Sequence, residues 1–122
     1  MKKTAIYLIL ITATGMLSSC DDIFEKDISA EDPVVFSPVE GLSFSHGDVL
    51  FWWDYLPGAE YYKVQIARPE FALIDKLVTD TIVETNKLVI NLEAGNYEWR
   101  IRACNSAYCT AFLQQVLVIS GE

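Results

Sequence analysis

The sequence predicts an all-β domain, a sandwich or a small barrel of many short strands. Three observations lead there. From Pro33 onward the chain breaks into short runs rich in Val, Ile, Tyr, Trp and Phe, set apart by Gly, Pro, Asn and Asp. No segment keeps the helical period for three turns, whereas several alternate apolar and polar residues with a period of two. About 90 residues divided into many short strands suit a sandwich or a small barrel.

In order along the chain, "FSPVEG" (Phe36 to Gly41) precedes a first hairpin that turns near "FSHGDV". "DVLFWWD" then sets Val49, Phe51 and Trp53 on one face and Leu50 and Trp52 on the other. Pro57 and Gly58 make a turn, and "YYKVQIA" follows with Tyr62, Val64 and Ile66 opposite Tyr61, Lys63 and Gln65. The first set of each strand is assigned to the core, because a one-residue slip would bury Lys63 and Gln65 without partners. "RPEFALIDKLVTDTIVETN" (Arg68 to Asn86) is expected to hold an edge strand and the return to the next one. Its apolar supply is Phe71, Leu73, Leu77, Val78, Ile82 and Val83, with no register fixed by the sequence. In "NLEAGNYEWRIRACN", Tyr97, Trp99, Ile101 and Ala103 point inward and Glu98, Arg100, Arg102 and Cys104 outward. Leu92 sits five residues before Tyr97, across a Gly95-Asn96 turn.

Together, "FSPVEG", "FWWDYLPGAEYYKVQIA" and "LEAGNYEWRIRA" resemble a fibronectin type III domain of the bacterial extracellular kind. Trp53 matches the B-strand tryptophan of that family, Tyr62 its C-strand tyrosine, and Leu92 with Tyr97 its tyrosine corner. The resemblance covers roughly Pro33 to Ile119. It implies an immunoglobulin-like two-sheet sandwich of about seven strands and brings no catalytic residue with it.

The chain begins "MKKTAIYLILITATGMLSSC", with Lys2 and Lys3 ahead of an apolar run from Ala5 to Leu17. This is the layout of a secretory signal peptide, too short and too interrupted for a membrane span. "LSSC" (Leu17 to Cys20) resembles the lipobox of bacterial lipoproteins, which implies cleavage after residue 19 and lipidation of Cys20. The expected organisation is a signal peptide over 1–19, a lipidated and flexible acidic tether over 20–32, and the sandwich over 33–122. Residues Asp21 and Asp22 just after the cysteine also resemble a surface-export signal of some Gram-negative lipoproteins. The expected location is therefore the outer membrane, held by the lipid anchor and facing outward, with a periplasm-facing anchor as the alternative.

The first 19 residues hold two of the nine basic residues and no acid, so the rest carries seven cations against seventeen acids, a net charge of −10. That balance disfavours nucleic acid and an anionic bilayer surface as partners. Its acidic opening, "CDDIFEKDISAEDP", buries little apolar surface by composition and is expected to be mobile.

No catalytic constellation follows from the spacing. The single histidine, His46, is expected in a turn, no Ser, His and acid set is apparent, and the six glycines stand singly at turns. The expectation is no enzyme, no cofactor and no metal site. Two regions offer binding chemistry instead. Leu50 and Trp52 are turned away from the core, where a tryptophan can stack on a sugar or anchor a protein, unless the first strand or the tether covers it. In the type III topology one pole gathers Tyr55, Leu56, Asn105, Ser106, Ala107 and Tyr108, a composition that loop-borne recognition favours. Lys63, Arg100 and Arg102 form a small basic strip on the outward face, explained by cross-strand ion pairs or by an acidic partner. The expected partner is a protein or a glycan, of unknown identity.

Cys104 and Cys109 remain an even pair once Cys20 is lipidated. Their C-x4-C spacing with one distant histidine falls short of a zinc site, and it is not C-x-x-C. In the type III topology they flank the loop "NSAY" between strands F and G. If they oppose each other directly, their Cα separation of about 5.5 Å or less suits a disulfide.

Overall fold

The structure, a computed structural model, describes residues 25–122. The expected signal peptide over 1–19, Cys20 and Asp21 to Phe24 lie outside the described residues. Eight strands build two sheets: β1 (Val35–Ser37), β2 (Ser43–Ser45), β3 (Gly47–Trp53), β4 (Tyr61–Glu70), β5 (Leu73–Val83), β6 (Lys87–Leu92), β7 (Gly95–Cys104) and β8 (Leu113–Ser120). A three-stranded sheet runs β1-β3-β6 and a five-stranded sheet runs β2-β8-β7-β4-β5. The first strand is split between the sheets. β1 pairs antiparallel with β3, while β2 lies parallel to β8, which accounts for eight strands where about seven were expected.

The alternation read from the sequence sets the register. Val49, Phe51 and Trp53 of β3, Tyr62, Val64 and Ile66 of β4, and Tyr97, Trp99, Ile101 and Ala103 of β7 are all buried. The rings meet between the sheets: the Phe51 and Trp99 centroids lie 4.9 Å apart, edge-on, and those of Trp53 and Tyr62 lie 5.5 Å apart, tilted. A well-packed aromatic pair adds about 0.5–1.5 kcal/mol to its area burial, so these contacts fix how the sheets face each other. The Tyr97 hydroxyl donates to the Glu93 carbonyl at 2.7 Å, closing the expected corner over buried Leu92.

β5 is the edge of the larger sheet, hydrogen-bonded to β4 alone, with irregular register between Ile66 and Ala67 and between Arg68 and Pro69. Its expected apolar supply divides. Val78 and Val83 pack against the core, but Leu73, Leu77 and Ile82 stand exposed, because the bulges and the edge position leave no second layer over them. Phe71 turns to the outer face instead of the core.

The acidic segment corrects an expectation. Residues 25–32 do not hang free but lie as a strap across one end of the sandwich, with Ile28 fully buried within the core cluster. A single apolar side chain in an acid-rich run supplies the anchor, and local hydrogen bonds shape the strap around it. The Glu31 amide donates to the Ile28 carbonyl at 2.9 Å, and Asp27 Oδ1 accepts from the Ser29 amide and hydroxyl at 3.0 and 2.6 Å.

Candidate functional site

Three surfaces carry the residues singled out in the sequence: the pole closed by the strap, the outer face of the three-stranded sheet, and the outer face of the five-stranded sheet.

At the pole, Asn105 is the joint between loop and strap. Its Nδ2 donates to the carbonyls of Lys26 (2.8 Å) and Gly58 (3.0 Å), while its Oδ1 accepts from the amides of Ala107 (3.0 Å) and Tyr108 (2.8 Å). The side chain is 3% exposed and its hydrogen-bonding capacity is filled, so Asn105 shapes the loop and does not present a free group to a ligand. Leu56 is buried too, its amide donating to the Tyr62 hydroxyl at 2.9 Å. Burial pushes the Tyr62 hydroxyl above its ordinary value, with the Leu56 bond opposing. Gly58 is required under the strap: its φ is +94°, and a Cβ there would lie 2.9 Å from Lys26 Cδ and 3.0 Å from Ile28 Cγ2.

Cys104 and Cys109 form a disulfide with a Cα separation of 4.0 Å. Closing a loop this short contributes roughly 2 kcal/mol by restricting the unfolded chain. Cys104 is correctly placed on the face of Arg100 and Arg102 by parity, but it is fully buried at this end of the sheet and not outward. Cys109 does not open the last strand. It makes an isolated bridge with Cys104, and β8 begins four residues later, after the Thr110 amide donates to the Ala103 carbonyl and Thr110 Oγ1 accepts from the Ala103 amide.

The strap also brings two carboxyls together. Glu60 is held above its ordinary value, first by its hydrogen bond with the Glu25 carboxyl, and Glu25 is held below its own by the same bond and by Ser106. Of the residues expected at this pole, Tyr55 (59% exposed), Ser106, Ala107 and Tyr108 remain accessible. Tyr55 borders a cleft of about 170 Å³ shared with Glu31, Asp32, Val34, Asp54, Leu56 and Pro57.

On the smaller sheet, Trp52 is 38% exposed and meets Phe36 edge-on at 4.9 Å, with Lys87 Nζ 5.5 Å from its ring centre. Leu50 pairs with Val89 across β3 and β6, and both are exposed. Phe36, Leu50, Trp52 and Val89 thus form one apolar face that the first strand borders without covering.

On the larger sheet, the basic strip is more than cross-strand pairing. The Arg100 guanidinium lies 4.1 Å from the Phe71 ring centre and 4.5 Å from that of Phe112, and Arg102 lies 4.7 Å from Phe112. Neither phenylalanine was singled out for this role, since the aromatics that meet Arg100 come from loops whose path the strand pattern does not show. Among the described residues no group of three His, Cys, Asp or Glu side chains is placed to hold a metal ion.

This arrangement of sheets and corner defines an all-β sandwich of the fibronectin type III-like class. Solved structures place the particular fold: the chain is similar to the fn3 domain of the human collagen alpha-1(XX) chain (12% identity, 75% of this chain and 86% of that one, TM-score 0.58). It is also similar to the domain FN3tt (16% identity, 74% and 97%, TM-score 0.52) and to a fibronectin type III domain derived from the human KIAA0970 protein (14%, 73% and 71%, TM-score 0.51). No family model and no curated protein matches the chain.

Proposed function

We propose that the protein is a non-catalytic binding or assembly module, anchored at the outer membrane through lipidated Cys20 and facing the cell surface. The type III-like fold supports the modular reading, since domains of this shape commonly serve as binding or scaffold units. The lipobox-like "LSSC" supports the anchor. The observation that carries the binding reading is the apolar face of Phe36, Leu50, Trp52 and Val89. Four neighbouring apolar side chains left in water on a small sheet suit a partner that covers them.

Two partners fit that face: a fixed protein subunit of an envelope complex, or a glycan stacked on Trp52, as in an accessory protein of a polysaccharide-uptake system. Affinity gel shifts on plant polysaccharides and crosslinking in intact envelopes, each with wild type and Trp52→Ala, separate them. Retardation lost in the variant selects the glycan, and a stoichiometric crosslink lost in the variant selects the subunit. If neither depends on Trp52, the face is not the binding site. Cys20→Ala is expected to move the protein out of the membrane fraction, and retention there would overturn the anchor.

A further inference from the structure

The outer face of the five-stranded sheet has a different chemistry from the Trp52 face and lies on the opposite side of the sandwich. Lys63 pairs with Arg102 across β4 and β7, and Arg100 sits two residues along the same strand, so three cations share one patch. The chain as a whole has seventeen acids against nine basic residues, yet the one ion pair among the described residues is Arg68 Nη1 to Glu93 Oε1, 3.9 Å, elsewhere on the molecule. The nearby carboxylates are engaged otherwise. Asp80 Oδ1 accepts from Gln65 Nε2 at 3.2 Å, and Glu98 Oε1 accepts from the Phe71 amide at 2.8 Å and from Gln114 Nε2 at 3.3 Å.

The two guanidiniums are also held in place. Phe71 and Phe112 flank Arg100, and its Nε donates to Gln65 Oε1 at 2.8 Å, which leaves the two Nη groups as the unbonded edge among the described residues. Arg102 rests on Phe112, and its buried Nε has no hydrogen-bond partner among the described residues. A guanidinium fixed in orientation by aromatic rings has lost its rotamer entropy before a ligand arrives, and its planar fork suits a carboxylate. Alternate residues on one face of a strand stand about 6.6–6.8 Å apart, so Arg100 and Arg102 repeat at the spacing of alternate side chains in any extended peptide.

We propose that this face binds an extended acidic peptide segment of a partner protein, with carboxylates at alternate residues engaging Arg100 and Arg102 and Lys63 adding to the field. Exposed Ile82 and Val116 on the flanking strands give such a segment apolar contact on either side. The reading is independent of the Trp52 face, and either can fail alone.

The test is fluorescence anisotropy on the full chain with two labelled peptides of equal length and composition, one alternating Glu with Thr and one with its Glu residues in a block. The alternating peptide is expected to bind about 10-fold more tightly, and more weakly as salt rises. Arg100→Lys and Arg102→Lys keep the charge but lose the fork, and each is expected to weaken binding about 5-fold or more. Lys76→Gln, a charge removed on the edge strand, is expected to leave it unchanged. Equal affinity for both peptides, indifference to the Arg to Lys changes, or tighter binding of polygalacturonate than of the alternating peptide would each overturn the proposal. Should an arginine variant fail to fold, the comparison of the two peptides on the wild type decides alone.

Discussion

The strapped pole and the outer sheet faces use their side chains in opposite ways. At the pole, Asn105 bonds four backbone groups, Ile28 fills the end of the core and a disulfide closes the loop, so groups that resemble recognition residues are taken up by the fold itself. On the faces, Trp52 and Arg100 are positioned by neighbouring rings yet keep reactive surface toward solvent. Composition alone does not separate the two cases. What separates them is whether the backbone nearby still has unmet hydrogen bonds: loops do, and they consume polar side chains, whereas strands have already met theirs.

The comparison can be broken most severely at the strap. Ile28→Ala is expected to cost about 3 kcal/mol, the range for a large side chain removed from a core, read as a lowered urea midpoint with unchanged slope. A loss near zero would mean that the strap is not part of the folded unit. Trp52→Ala is expected to cost less than about 1 kcal/mol in the same assay, because the ring is partly solvated already, while abolishing capture of the partner. A large loss of stability there would mark Trp52 as structural and erase the contrast between pole and face.

The smallest effect concerns pH. Glu60, raised, contributes stability that is full below the ordinary glutamate value and is lost as pH rises through its raised value. Glu25, lowered, contributes stability present above the ordinary value and lost as pH falls through its lowered one. The strap is therefore tightest near the ordinary carboxylate range, about pH 4 to 5, and loosens toward neutrality. Glu60→Gln keeps a donor for Glu25 at every pH, so melting temperatures measured from about pH 4 to 7 are expected to lose their decline on the neutral side. A persistent decline in the variant would assign it to another group.

The sandwich was legible because its strands obey one rule that survives the environment: alternate residues take alternate faces. Val49, Phe51 and Trp53, and Tyr97, Trp99 and Ile101, follow it without exception. The strap was not legible, since its hold on the domain rests on one isoleucine and on the carbonyl of Lys26, a group that every residue has. Cys104 shows the limit within a strand, where parity gave the face correctly and the closed pole decided the burial. The candidate sites divide likewise: Leu50 and Trp52 follow from alternation, whereas Phe71 and Phe112 reach Arg100 from segments between strands, where no period applies.

The strap also resets the geometry of attachment. With residue 25 fastened to the loop at Ser106, the stretch between a lipidated Cys20 and the folded body is five residue steps, at most about 18 Å when fully drawn out. Were Cys20 lipidated as proposed, so short a leash would hold the strapped end, Tyr108 included, close to the lipid surface. Its two broad sheet faces would then be the surfaces open to neighbours anchored in the same leaflet.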